Sequence, residues 1–183
     1  MSKKGFTLIE LLIVVAIIAI LAAIAIPNFL AAQVRSKVSR AQSEMRTFAT
    51  AMESYYVDNN EYLPTRNVVG VSRLQRYIPL TTPVAYLSSI PKDSFSDSTG
   101  DQQYYPYWGP EFWNDTFAGN YYARFTTTPD LYNRVASGQT NMWMILSSGP
   151  DRDYEAAVAP YLFDVYDPTN GTISNGDIFR YGP

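Results

Sequence analysis

The sequence predicts an α+β chain: a long amino-terminal hydrophobic helix forms a spine, packed on a small antiparallel β-sheet head. Three observations lead there. Residues Leu11 to Ile26 hold no polar side chain. Apolar residues then recur every three or four positions as far as Tyr55, the spacing of one helix face. From about Glu61 onward, Pro, Gly, Asn and Asp clusters separate short runs of β-branched and aromatic residues.

The elements follow in order. Residues 1–5 form a short basic leader with Lys3 and Lys4. Residues 6–27 form the apolar half of the helix; Phe6 to Ile26 would span about 31 Å, close to the roughly 30 Å of hydrocarbon in a bilayer. Pro27 cannot donate a backbone hydrogen bond, so a helix break or kink is expected there. Residues 28–60 read as an amphipathic spine whose seam is Leu30, Val34, Val38, Ala41, Met45, Phe48, Met52 and Tyr55. Arg35, Gln42, Arg46 and Glu53 fall on the opposite, wetter face. Residues 61–183 form the head, with strands expected at Tyr121–Thr127, Met142–Leu146, Leu162–Tyr166 and Ile178–Tyr181. Pro79, Pro83 and Pro91 mark residues 79–110 as mostly loop.

Composition narrows the function classes. The chain has no Cys, hence no disulfide framework, thiolate nucleophile or cysteine zinc site. It has no His, which removes the commonest general base. A net charge of -3 without a basic cluster beyond Arg46 gives no electrostatic footprint for nucleic acid. That charge is unevenly placed. Asn28 to Arg40 carries Arg35, Lys37 and Arg40 and no acid, whereas Glu61 to the end carries 8 Lys or Arg against 13 Asp or Glu. A basic stem leads into an acidic head.

The segment Lys3-Lys4-Gly5-Phe6-Thr7-Leu8-Ile9-Glu10 runs directly into the apolar helix. An ordinary secretory signal would be cut after its apolar core, and Ala23-Ile24-Ala25 offers such a site. The run is longer than such a core, however, and Glu10 inside it costs roughly 2.5–3.5 kcal/mol on insertion scales. A plain single-span anchor meets the same difficulty.

These residues closely resemble the processing signal of type IV pilins and type II secretion pseudopilins, over residues 3 to 27. The resemblance implies cleavage by a prepilin peptidase between Gly5 and Phe6, methylation of the new Phe6 amine, and retention of the helix as membrane anchor and filament core. Glu10 would then pair with the Phe6 ammonium, its own or a neighbouring subunit's, since two opposite charges in a dry setting cost far less together than apart. Pro27 matches the family's proline, where the helix is described as melting on assembly. The partners implied are further copies of the chain, other pilin-like subunits, the peptidase and an inner-membrane assembly platform, with the head outside the cytoplasm.

In the head, Ser147-Ser148-Gly149-Pro150-Asp151-Arg152-Asp153 and Gly176-Asp177 resemble the terminal loop of the major secretion pseudopilin, which is held by calcium. Ser148, Asp151, Asp153 and Asp177 are the candidate ligands by that resemblance; acidic turns facing water are the alternative. Pilins proper usually close this loop with a Cys pair, so its absence favours the secretion pseudopilus over the adhesive or motility pilus. A third possibility is a membrane-anchored glycan-binding or enzymatic domain. The run Tyr104-Tyr105-Pro106-Tyr107-Trp108 suits it superficially, although such residues more often pack sheets.

Overall fold

The computed structural model describes residues 5–64, 71–110, 133–134, 137–139, 141–152, 165–170, 174 and 176–183. The expected strand at 121–127 lies outside these residues, as do residues 162–164 of the expected strand at 162–166 and residues 1–4 of the leader.

A single helix, α1 (Leu8–Asn59), dominates the chain. It starts with a capping box: Thr7 Oγ1 accepts from the Glu10 N–H, and the Glu10 carboxylate accepts from the Thr7 N–H. It ends at Asn60, whose left-handed conformation (φ 57°) lets its N–H close on the Tyr56 carbonyl at 2.7 Å. The break expected at Pro27 is absent from this chain: α1 continues through it. The ring removes one donor from the ladder, and one bond is a small part of so long a helix. Beside it the Asn28 side chain adds a donor to the Ile24 carbonyl at 3.1 Å.

The two halves of α1 differ in burial. From Phe6 to Leu30 the large apolar side chains are exposed, Leu8 at 79% and Ile24 at 61% among them. The seam begins at half-buried Val34, one turn later than expected, because Leu30 finds nothing to cover it. Val38, Ala41, Met45, Phe48, Ala49, Ala51 and Met52 are buried against the head.

Among the described residues the head presents a three-stranded antiparallel sheet in the order β1 (Tyr107–Trp108), β2 (Trp143–Ser147), β3 (Ile178–Gly182). All five residues of β2 are buried, as suits a central strand covered on both faces. Ile145 stands opposite Tyr107 on one side and Arg180 on the other. Strands β2 and β3 match the expected 142–146 and 178–181 to within a residue. Residues 79–110 are mostly irregular, as the prolines imply, apart from short 3-10 turns and β1. A short helix the sequence reading missed, α2 (Arg73–Tyr77), precedes them with its own Ser72–Gln75 capping box.

Head and spine share one aromatic core. Phe48 meets the edge of Tyr77 with centroids 4.9 Å apart, and Tyr77 in turn meets Tyr107 at 6.4 Å. The run from Tyr104 to Trp108 is buried throughout, which gives those aromatics a packing role.

Candidate functional site

The amino-terminal constellation is built by the start of α1. Gly5 and Phe6 lie just before the cap and both are exposed. A side-chain carbon placed on Gly5 would meet nothing within 4 Å, so the chain's own fold leaves this peptide bond open to approach. Glu10 is one turn inside the helix. Its Oε2 accepts from the Thr7 N–H at 2.8 Å and the Thr7 hydroxyl at 2.7 Å, while the Glu10 N–H returns a 3.3 Å bond to Thr7.

The reciprocal arrangement explains how an acid is tolerated at the mouth of an apolar span. Two donors already face the carboxylate, and the first-turn N–H groups add the positive end of the helix. Thr7 is a site residue that sequence reasoning missed, although the Thr-x-x-Glu spacing that signals a capping box was present at Thr7-Leu8-Ile9-Glu10. Both Thr7 donors fall on Oε2, and the carboxylate has room for a further donor such as an ammonium.

Behind this end, α1 is long and apolar enough to cross a membrane once, with mean hydropathy 3.2 over its most apolar stretch and none of that stretch buried in the fold. Every side chain from Leu11 to Ile20 is exposed. Such a surface needs lipid or other protein around it.

At the far end, three acids of α1 hold the head through aromatic donors. The Tyr105 hydroxyl donates to Glu44 at 2.8 Å, and Arg40 reaches the other oxygen of that carboxylate at 2.8 Å. Trp143 Nε1 and the Tyr62 hydroxyl both donate to Glu53. The Tyr86 hydroxyl donates to Asp58 at 2.7 Å. Glu53 is therefore half-buried and engaged, not on a wet face as its helical position suggested. Burial, helped by the Glu44 bond, pushes the Tyr105 hydroxyl well up, and burial does the same to Tyr62 beside Glu53. Both stay neutral donors at any ordinary pH.

The carboxyl-terminal loops meet around an acid that was not among the expected ligands. Asp93 is buried, and its carboxylate accepts from the Phe95 N–H (3.0 Å), the Ser147 hydroxyl (2.8 Å) and the Ser148 N–H (3.4 Å). Burial raises the Asp93 carboxyl from its ordinary value against the pull of those three bonds. Of the expected ligands, Ser148 and Asp177 are buried and Asp151 is exposed. The structure draws their loops together: a side-chain carbon on Gly149 would fall 2.4 Å from the Gly176 carbonyl oxygen and 3.8 Å from Asp151 Oδ1. Gly149, at φ 67°, is required both for that contact and for its backbone conformation. Asp153 lies outside the described residues. Among the described residues no three acidic side chains gather as a metal site requires. Asp167 is committed elsewhere, its Oδ1 accepting from both the N–H and the hydroxyl of Thr169.

Comparison with known proteins points the same way as the amino-terminal geometry. The prokaryotic N-terminal methylation motif matches residues 1–26. The chain is 52% identical over 68 residues to the type IV major pilin protein PilA of Myxococcus xanthus, a stretch that is 37% of this chain and 31% of that one. It is 54% identical over 61 residues to the type IV wide pilus major component PilA4 of Thermus thermophilus, 33% of this chain and 47% of that one. With the type II secretion system core protein G of Pseudomonas aeruginosa it shares 38% identity over 65 residues, 36% of this chain and 46% of that one. The chain covers less than half the length of each of these relatives. No solved structure matches it.

Proposed function

We propose that this chain, whose amino terminus is that of the type IV pilin-like superfamily, is a structural subunit of a filament assembled from the inner membrane, not an enzyme. The observation that carries the reading is the two-part helix. Its exposed apolar half serves as anchor before assembly and as filament core afterwards, while its other half is the rigid mount of the head. A prepilin peptidase would cut between Gly5 and Phe6, and methylation of the new amine would follow. The Phe6 ammonium would then find Glu10, first in its own chain and later across a subunit boundary, which sets the axial register of an incoming copy. Melting around Pro27 would belong to assembly, since the single chain is helical there.

Two filament classes share this chemistry. The 52% and 54% identities to pilins, against 38% to the secretion protein, favour a type IV pilus used for adhesion, motility or DNA uptake. The absence of Cys favours the type II secretion pseudopilus, which drives protein export. Deleting the gene separates them: loss of surface filaments and surface motility with export intact supports the pilus, and loss of export supports the pseudopilus. Retention of every filament, together with catalytic turnover by the purified chain, would contradict both.

Calcium belongs to this reading as a structural clip on the terminal loops, held by Ser148, Asp151, Asp153 and Asp177. The approach of Gly149 to Gly176 supports it, because it sets the two ligand-bearing loops side by side. A chelator should then lower the Tm of the purified chain by several degrees, reversed by added calcium. An unchanged Tm removes the clip.

A further inference from the structure

The lower part of α1 and the end of β3 enclose an open groove of about 740 Å³. Val57, Trp143 and Tyr181 supply apolar surface, Glu53 and Asp58 line it with carboxylates, and Arg180 faces them from β3. Val57 is 79% exposed there, so the groove leaves an apolar side chain bare beside two acids. The matching surface lies on the same helix. Phe29, Gln33, Lys37 and Arg40 follow one another at spacings of four, four and three on one face, and all four are exposed. Phe29 is 63% exposed, and no acid occurs between Asn28 and Arg40. Charge is thus segregated along this part of the helix: Arg35, Lys37, Arg40 and Arg46 precede Glu53 and Asp58, with Glu44 alone among the bases.

We propose that this groove receives the Phe29–Arg40 stem of a second copy of the chain, Lys37 facing Asp58 and Glu53 and Phe29 coming level with the Ala49–Thr50 end of the groove. A helix about 10 Å across occupies roughly 420 Å³ per turn, so the groove takes nearly two of the roughly three turns between Phe29 and Arg40, the rest lying along its rim. Two different surfaces meet, stem on groove, which makes the contact head-to-tail and open-ended; such contacts generate filaments, not closed dimers. The stagger follows from the helix. Lys37 precedes Glu53 by 16 residues and Asp58 by 21, so parallel copies in contact are offset by about 24–32 Å. Two copies anchored in one bilayer cannot adopt that offset, because it would lift one apolar span out of a hydrocarbon layer about 30 Å thick. The contact therefore forms only as a copy leaves the membrane, and it distinguishes the filament from the membrane pool. This inference rests on the filament reading above.

The chain has no Cys, which gives a clean background for cross-linking. The full-length chain carrying Gln33→Cys and Ser54→Cys, which leaves both charges of the contact in place, should, expressed with its assembly machinery, give a ladder of disulfide-linked dimers, trimers and higher species when sheared filaments are treated with a mild oxidant. The membrane pool of cells lacking the assembly motor should give monomer. Separately, Lys37→Glu and Asp58→Lys should each reduce filament yield several-fold, and the two together should restore it. Filaments without a ladder, linked dimers alone, a ladder in the membrane pool, or no restoration by the charge swap would overturn the inference and leave the filament reading standing. No filaments from the unaltered chain under the same expression would overturn the reading beneath it.

Discussion

The two halves of α1 form one continuous helix and meet opposite fates. Between Leu8 and Leu30 nearly every apolar side chain is exposed; between Val38 and Met52 seven residues are buried by the head. The difference lies in both hydrophobicity and pattern: the stem is apolar on every side, and the spine confines its apolar residues to one seam. An apolar surface running all round a helix cannot be covered by a small head on one side, whereas a seam with a three-four spacing can. The stem must find its partners outside the chain, and the spine has already found them. Substitutions in the spine should therefore act on folding, and substitutions in the stem on assembly.

The sharpest contrast is at Phe48, which is fully buried against Tyr77. Phe48→Ala should cost about 3–5 kcal/mol, read as a lower urea midpoint of the detergent-solubilised chain. Next comes Asp93→Asn, which replaces one acceptor oxygen by a donor facing the Ser148 N–H and should cost about 1–3 kcal/mol. Its pH dependence has a definite sign. Burial raises folded Asp93 above its ordinary 3.8, so the stability linked to its proton is fully present below that value and fades as pH rises through the folded pKa. The margin of the unaltered chain over Asp93→Asn should accordingly be widest near pH 3.5 and narrow towards neutrality, checked by unfolding at several pH values.

A smaller effect is expected at Tyr105→Phe. It removes the hydroxyl donor to Glu44 but leaves that carboxylate its bond to Arg40, so the cost should be about 1 kcal/mol by the same measurement. The smallest is Leu12→Ala in the stem, where Leu12 is 63% exposed. The folding midpoint in detergent should move by less than about 0.5 kcal/mol, while filament yield falls. A large folding effect there, or none at Phe48, would erase the distinction between the two halves.

The same contrast governs what was readable beforehand. Periodicity alone located the seam from Val34 to Tyr55, and the β-branched runs located β2 and β3, because local pattern and tertiary burial agree there. The acid partners were not readable. Glu44, Glu53 and Asp58 look solvated on a helical projection, yet each accepts from an aromatic residue between 9 and 90 positions away. Periodicity says which side of a helix faces the core, not which distant hydroxyl reaches its shoulder. Asp93 was hidden for the same reason, its partners Ser147 and Ser148 lying more than 50 residues on. The helix through Pro27 shows the opposite limit: a local rule allowed a kink or a break, and the break is not adopted by a long, otherwise continuous ladder. At the amino terminus the span and Glu10 were legible from local sequence, and the capping box, although missed, was also carried by residues only three positions apart.

Mass spectrometry of the mature amino terminus tests the central claim most directly. A chain beginning at Phe6 with one added methyl group is the predicted result, because it retains the exposed stem as anchor and filament core. A mature chain beginning at Ile26, with the stem removed, would contradict it.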